Sequence, residues 1–172
     1  ILMRYYDLIS RNGETYLWYF PDGKPSSVET STSPEAKPTD GWGSSAMLYA
    51  LVEGLAGVQD KDKLFRRVRL CPKWLSAGVE KADVKIDYKS SGAYVKYAYS
   101  HTRDQLIINL SGSYEYIQLS LPVPGNYTAG DLMIGGKKKK YIMASFNQSS
   151  YLIADADVKG ECEIILDLRK KP

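Results

Sequence analysis

The feature that most constrains the fold is an alternation of apolar and polar residues that begins near Leu64 and continues to the end of the chain. Segments such as "VKIDY", "QLIINL", "YIQLSL" and "CEIILDL" each place their apolar residues on one face of an extended strand. Clusters of Gly, Asn, Ser and Pro separate these segments at short intervals. About eight short strands with this spacing predict an antiparallel β-sandwich over residues 63–172.

The N-terminal third has a different, helical pattern. Residues 1–11 repeat apolar side chains at helical spacing, and Asn12-Gly13 supplies a stop signal. The stretch "GWGSSAMLYALVEGLAGV" is apolar on almost every side and predicts a second helix over about residues 44–56. We therefore predict an α+β chain, in which a short helical hairpin in residues 1–62 precedes the sandwich. So apolar a helix needs neighbours to cover it.

A long loop, residues 14–43, connects the two predicted helices. It is aromatic at first, with Trp18, Tyr19 and Phe20, and then becomes rich in Pro, Ser and Thr. A loop of this length in a compact domain is usually functional or disordered.

Composition excludes several classes of site. The chain has one histidine, His101, and two cysteines without a CxxC spacing, so we expect no Cys/His metal site and no cofactor. Cys71 and Cys162 could form a disulfide, or both could be buried thiols. A net charge of +3 is too small to argue for a nucleic-acid partner, and no charge-free apolar run reaches the length of a membrane span.

The order of segments resembles the C-terminal end of the six-hairpin glycoside hydrolases. The residues that carry the resemblance are "TYLWYFPDGKP", a variable loop, "GWGSSAMLYALVEGLAGV", "FRRVRLCPKW" and a following β-domain. These enzymes are (α/α)6 barrels and include glucoamylase-like, trehalase-like and α-L-rhamnosidase-like families. The resemblance implies that the chain is the C-terminal fragment of a glycoside hydrolase acting on oligo- or polysaccharides. It also implies a bacterial periplasmic or secreted parent protein.

The resemblance further implies a set of site residues at the end of the barrel that binds sugar. Trp18, Tyr19 and Trp42 would offer flat faces to a sugar ring, although they could equally close the barrel end. The family's loop carboxylate would fall at Trp18 or Tyr19, and neither is acidic, so Glu29 becomes the candidate catalytic carboxylate. Glu53 lies about 16 Å further along the helix axis from Trp42, so we expect a hydrogen-bonded structural role for it.

One hairpin of six cannot form such a pocket, so the fragment alone is expected to be inactive. The apolar sides of residues 1–11 and 44–56 predict a homodimer, or association with the missing part of the barrel. Two alternatives remain open for the sandwich: a purely structural role, or a non-catalytic carbohydrate-binding module. In the second, Tyr94, Tyr97, Tyr99, Tyr114 and Tyr116 could form a sugar platform, although alternation places Tyr97 and Tyr99 on the core face with Val95.

Overall fold

A computed structural model describes residues 2–27, 39 and 41–171 of the chain. The chain forms two compact units, residues 1–51 and 52–172. The described residues of the first unit include two α-helices, α1 (Leu2–Asn12) and α2 (Trp42–Tyr49). The α+β class and the helical N-terminal part predicted from the sequence are confirmed.

The end of α1 has a local cause, and the bounds of α2 differ from those predicted. Helix α1 stops at Gly13, which has a φ of +75° and donates its backbone N–H to the Ile9 carbonyl at 2.7 Å. This left-handed residue is the usual glycine C-cap. Helix α2 begins at Trp42, two residues before the predicted start, with Gly41 as its N-cap residue and no side-chain capping bond among the described residues. It continues into six residues of π-helix, Ala50–Leu55, so the regular α-helix is shorter than the pattern suggested.

The described residues of the second unit form a β-sandwich of eleven strands, more than the eight expected. The strands are β1 (Val58–Asp62), β2 (Arg67–Leu70), β3 (Lys81–Asp87), β4 (Tyr94–His101), β5 (Gln105–Gly112), β6 (Tyr116–Val123), β7 (Tyr127–Ile134), β8 (Lys137–Lys139), β9 (Ile142–Phe146), β10 (Ser149–Asp157) and β11 (Gly160–Lys170). A five-stranded sheet has the order β1-β2-β6-β10-β9, and a six-stranded sheet has the order β3-β4-β5-β11-β7-β8. All neighbours are antiparallel except β2 and β6, which run parallel.

A single hydrophobic core lies between the two sheets. The alternating residues predicted to face inward do so: Ile108, Leu119 and Ile164 are fully buried and belong to one cluster. Burying a side chain of this size contributes about 1.5–3 kcal/mol. The sandwich therefore has an ample core of its own.

Three of the tyrosines considered for a sugar platform lie in this core. Tyr97, Tyr99 and Tyr114 are 0%, 2% and 1% exposed. The hypothesis of a platform built on these residues is wrong. The pleat of β4 turns Tyr97 and Tyr99 inward, as the alternation with Val95 indicated, and Tyr114 is buried in the segment between β5 and β6. The two cysteines are free thiols; Cys162 is buried and Cys71 is half-buried. Among the described residues, no helix is both long enough and apolar enough to span a membrane.

Gly57 joins the π-helix to β1 and cannot carry a side chain. Its φ is +69°, and a Cβ there would overlap the Cys71 carbonyl. The same close approach allows the Cys71 N–H to bond to the Gly57 carbonyl at 2.7 Å. The predicted helix end at Gly57 thus coincides with a point where two backbones nearly touch.

Candidate functional site

The aromatic segment at the start of the long loop forms a tight, closed turn. The Phe20 N–H bonds to the Lys24 carbonyl at 2.9 Å, and the Gly23 N–H bonds to the Phe20 carbonyl at 2.8 Å. Gly23 has a φ of +85°, which the reversal of the chain requires. One step further out, the Ser26 N–H bonds to the Trp18 carbonyl at 3.0 Å. The backbone of Trp18 is therefore held in place.

Tyr19 belongs to an aromatic cluster within the first unit. Its ring meets Tyr5 edge-on at 6.1 Å and Tyr16 edge-on at 5.9 Å, and its hydroxyl donates to the Glu14 carbonyl at 3.3 Å. Partial burial, followed by the nearby Tyr5, raises the pKa of Tyr19 above its ordinary value. Tyr19 therefore remains a neutral hydrogen-bond donor at ordinary pH.

The start of helix α2 packs against Tyr5 of α1 and against Thr15. A Cβ at Gly43 would overlap the Tyr5 hydroxyl, so only glycine fits there. Ser44 Oγ lies 3.0 Å from Oγ1 of Thr15, which is 7% exposed. Tyr5 thus contacts both Tyr19 and Gly43, and it links the aromatic turn to the beginning of α2.

A polar cavity of about 450 Å³ lies at this junction. Its described lining residues are Glu14, Thr15, Thr39, Gly41 and Ser44. Glu14 is the single carboxylate among them, and the sequence interpretation did not select it. The signal that could have found it is its position directly after the Asn12-Gly13 helix stop, where the chain must turn towards the loop.

The predicted site residues occupy different places. Trp42 is 80% exposed at the first turn of α2, whereas Trp18 and Tyr19 are half-buried in the aromatic turn. None of the three is among the described residues that line the polar cavity. Glu29 lies outside the described residues. The prediction that these four form one site stays a prediction.

Glu53 has a role like the one predicted for it. Its Oε2 accepts a hydrogen bond of 2.9 Å from Gln59 Nε2, within the second unit. Among the described residues, no group of three or more His, Cys, Asp and Glu side chains is arranged to hold a metal ion.

Comparison with solved structures gives a likeness of fold. No family model matches the sequence, and no curated protein matches it. The solved structure of an α-L-rhamnosidase from Dictyoglumus thermophilum is similar to this chain with a TM-score of 0.50 and 12% sequence identity. The likeness is one of fold.

The matched region is large for this chain and small for the rhamnosidase. It covers 80% of the present chain and 15% of the rhamnosidase chain. The fold of this chain is therefore related to part of a glycoside hydrolase, and the chain spans about 15% of that protein's length.

Proposed function

We propose that this chain is the C-terminal part of a glycoside hydrolase that acts on oligo- or polysaccharides. In this proposal, residues 1–62 provide the last helical hairpin and a loop beside the active site, and residues 63–172 provide the β-sandwich. The observation that carries it is the fold likeness to a rhamnosidase over 80% of the chain.

The aromatic residues of the first unit would contact sugar. Trp42 presents most of its surface to solvent at the first turn of α2, as a stacking platform must. Trp18 and Tyr19 lie on a turn whose backbone is fixed by hydrogen bonds, which would hold their rings in position. Glu29 is the proposed catalytic carboxylate, and Glu14, on the polar cavity, is a second acidic candidate.

The chain by itself is expected to be inactive. Glycoside hydrolysis requires an acid and a second carboxyl group about 5–9.5 Å away, on opposite sides of the bond to be cleaved. In six-hairpin enzymes the pocket is built by all the hairpins, and this chain supplies one. The partner carboxylate would come from the rest of the parent protein.

The helices carry apolar side chains that a neighbour would cover. Met3 and Tyr6 of α1 are 71% and 55% exposed, and Leu48 and Tyr49 of α2 are 63% and 61% exposed. Exposed apolar residues in such number usually mark an interaction surface. We assign this surface, within residues 1–11 and 44–56, to the remaining barrel or, in its absence, to a second copy of the chain.

Sequencing the gene upstream of the Ile1 codon tests the proposal directly. An in-frame segment that encodes about five further helical hairpins is expected, and the complete product should hydrolyse aryl glycosides. In that product, Trp42→Ala should raise KM and Glu29→Gln should lower kcat. Glu14→Gln is the comparison, because it would lower kcat instead if Glu14 were the catalytic carboxylate. An upstream frame without helical hairpins, or a complete product inactive on a broad panel of glycosides, would overturn the proposal.

A further inference from the structure

The sandwich carries a cavity on the face of the five-stranded sheet that points away from the core. It has a volume of about 310 Å³, which is in the range of small-molecule sites. All five strands contribute to it: Gln59 from β1, Arg69 from β2, Ser120 from β6, Tyr151 from β10 and Phe146 from β9. A cavity that crosses every strand of a sheet is held rigidly by the strand pairing.

One end of this cavity is polar, and the Gln59 side chain there has only one of its two amide atoms hydrogen-bonded. Gln59 Nε2 donates to Glu53 Oε2 at 2.9 Å, which fixes the orientation of the amide. Its other atom, Oε1, is buried and has no hydrogen-bond partner among the described residues. A buried acceptor without a donor is unfavourable.

The same end carries more positive than negative charge. Arg69 is paired directly with Gln59 across the β1–β2 ladder, and its Nη2 makes a long bond of 3.4 Å to Ser120 Oγ. Neither Arg69 nor Lys73, which also lines the cavity, forms an ion pair among the described residues. Glu53 is the single carboxylate among the described lining residues. The planar guanidinium is suited to bidentate binding of a ligand carboxylate.

The other end of the cavity is apolar. Phe146 is 70% exposed, and Ala144, Tyr151 and Ile153 lie beside it on β9 and β10. Phe146 is the last residue of β9, directly before the two-residue turn to Ser149, so the hairpin fixes its position. An exposed aromatic ring next to fixed polar groups is a common arrangement for binding the apolar face of a pyranose ring.

We propose that this cavity binds an acidic sugar, a uronate unit of a glycan. The carboxylate of one uronate unit would bind Arg69, and the ring of an adjoining sugar unit would stack on Phe146. This inference concerns residues 52–172 only and does not depend on the proposed function. The sandwich would then bind glycan even if the chain has no catalytic parent.

Calorimetric titration of the whole 172-residue chain tests the proposal, with digalacturonate as the acidic probe and cellobiose as the neutral one. Saturable binding of digalacturonate and at least about tenfold weaker binding of cellobiose are expected. Phe146→Ala should weaken digalacturonate binding about tenfold, because it removes the aromatic ring against which the sugar packs. Arg69→Lys should weaken it by a similar factor, because lysine keeps the positive charge but cannot bind a carboxylate through two parallel hydrogen bonds.

Ile142→Ala is the matched control. Ile142 lies on the same strand as Phe146 and is 66% exposed, but it is not among the described residues that line the cavity. Its substitution should leave binding unchanged, and thermal unfolding of each variant checks that the sandwich remains folded. The proposal is overturned if digalacturonate does not bind, if cellobiose binds equally well, or if the two cavity variants bind like the wild type.

Discussion

Trp74 Nε1 donates a hydrogen bond of 2.8 Å to the hydroxyl of Tyr97, and that hydroxyl donates in turn to the Ala56 carbonyl at 2.7 Å. Tyr97 is fully buried on β4, whereas Trp74 follows β2, and Ala56 precedes β1. One hydroxyl thus satisfies both a side chain and a backbone group at the start of the sandwich. Burial raises the pKa of Tyr97 well above its ordinary value, so the hydroxyl keeps its proton.

Removing this hydroxyl should destabilise the sandwich. Tyr97→Phe leaves the Trp74 N–H and the buried Ala56 carbonyl without their partner, which should cost about 1–3 kcal/mol. The free energy of unfolding from urea titration measures the effect. Tyr94→Phe, on the same strand but half-buried, should change stability by less than about 0.5 kcal/mol. Equal effects of the two substitutions would contradict this account of the hydrogen bonds.

Alkaline pH should unfold the sandwich through its buried tyrosines. Burial raises the pKa of Tyr99 to about 12, and it also raises the pKa values of Tyr97 and Tyr114. Because the pKa of these tyrosines is higher in the folded state, their contribution to the free energy of unfolding is complete below the ordinary tyrosine pKa of about 10. That contribution is lost as pH rises through the folded-state pKa. Urea midpoints should therefore fall between about pH 10 and pH 12. The Tyr99→Phe variant, with one fewer titrating hydroxyl, should show a smaller fall, and an identical pH profile would count against the explanation.

Gly57 should tolerate no side chain. Gly57→Ala places a Cβ against the Cys71 carbonyl at a positive φ, and we expect a loss of at least about 2 kcal/mol. Gly78 is the matched control, since its φ of +72° is similar and no atom lies within 4 Å of the position that a Cβ would take there. Gly78→Ala should cost only about 1 kcal/mol, the conformational part of the effect. Similar losses at both positions would show that the backbone contact has no energetic role.

The β9–β10 turn offers a stabilising substitution. Asn147 and Gln148 both have positive φ, 45° and 66°, and glutamine gains nothing from this conformation. Gln148→Gly should stabilise the sandwich by about 1 kcal/mol. The β7–β8 turn provides the reverse experiment, because Gly135 and Gly136 have φ values of 56° and 72°. Gly136→Ala should destabilise the sandwich. The unfolding temperature should therefore rise for Gln148→Gly and fall for Gly136→Ala.

The exposed helical surface predicts self-association of the isolated chain. Light scattering after size exclusion should give about twice the 19.3 kDa monomer mass. Leu48→Glu, which puts a charge on an exposed apolar position, should shift the equilibrium towards monomer. Lys85→Glu, an exposed change on β3, is the control that should leave the mass unchanged. A wild-type chain that elutes as a clean monomer would contradict the dimer.

Several features followed from the sequence because their causes are local. The period-two alternation of β4, β5, β6 and β11 determined which side chains face the core, since successive residues in a strand point to opposite faces. Gly13 and Gly57 ended their helical segments where the pattern predicted, because both have left-handed backbones. Strands β1 and β8 were among those missed, because "VQDKD" and "KKK" have no alternation of their own and are strands only through their partners.

The candidate sites depended on the tertiary structure. The contact of Tyr5 with Gly43, and the placement of Glu14 on a cavity with Ser44, join segments that are distant in the sequence. The grouping of Gln59, Arg69 and Phe146 likewise requires the strand order β1-β2-β6-β10-β9. Local residue patterns determine which face of a strand is buried, whereas the order and register of strands are set by packing between remote segments.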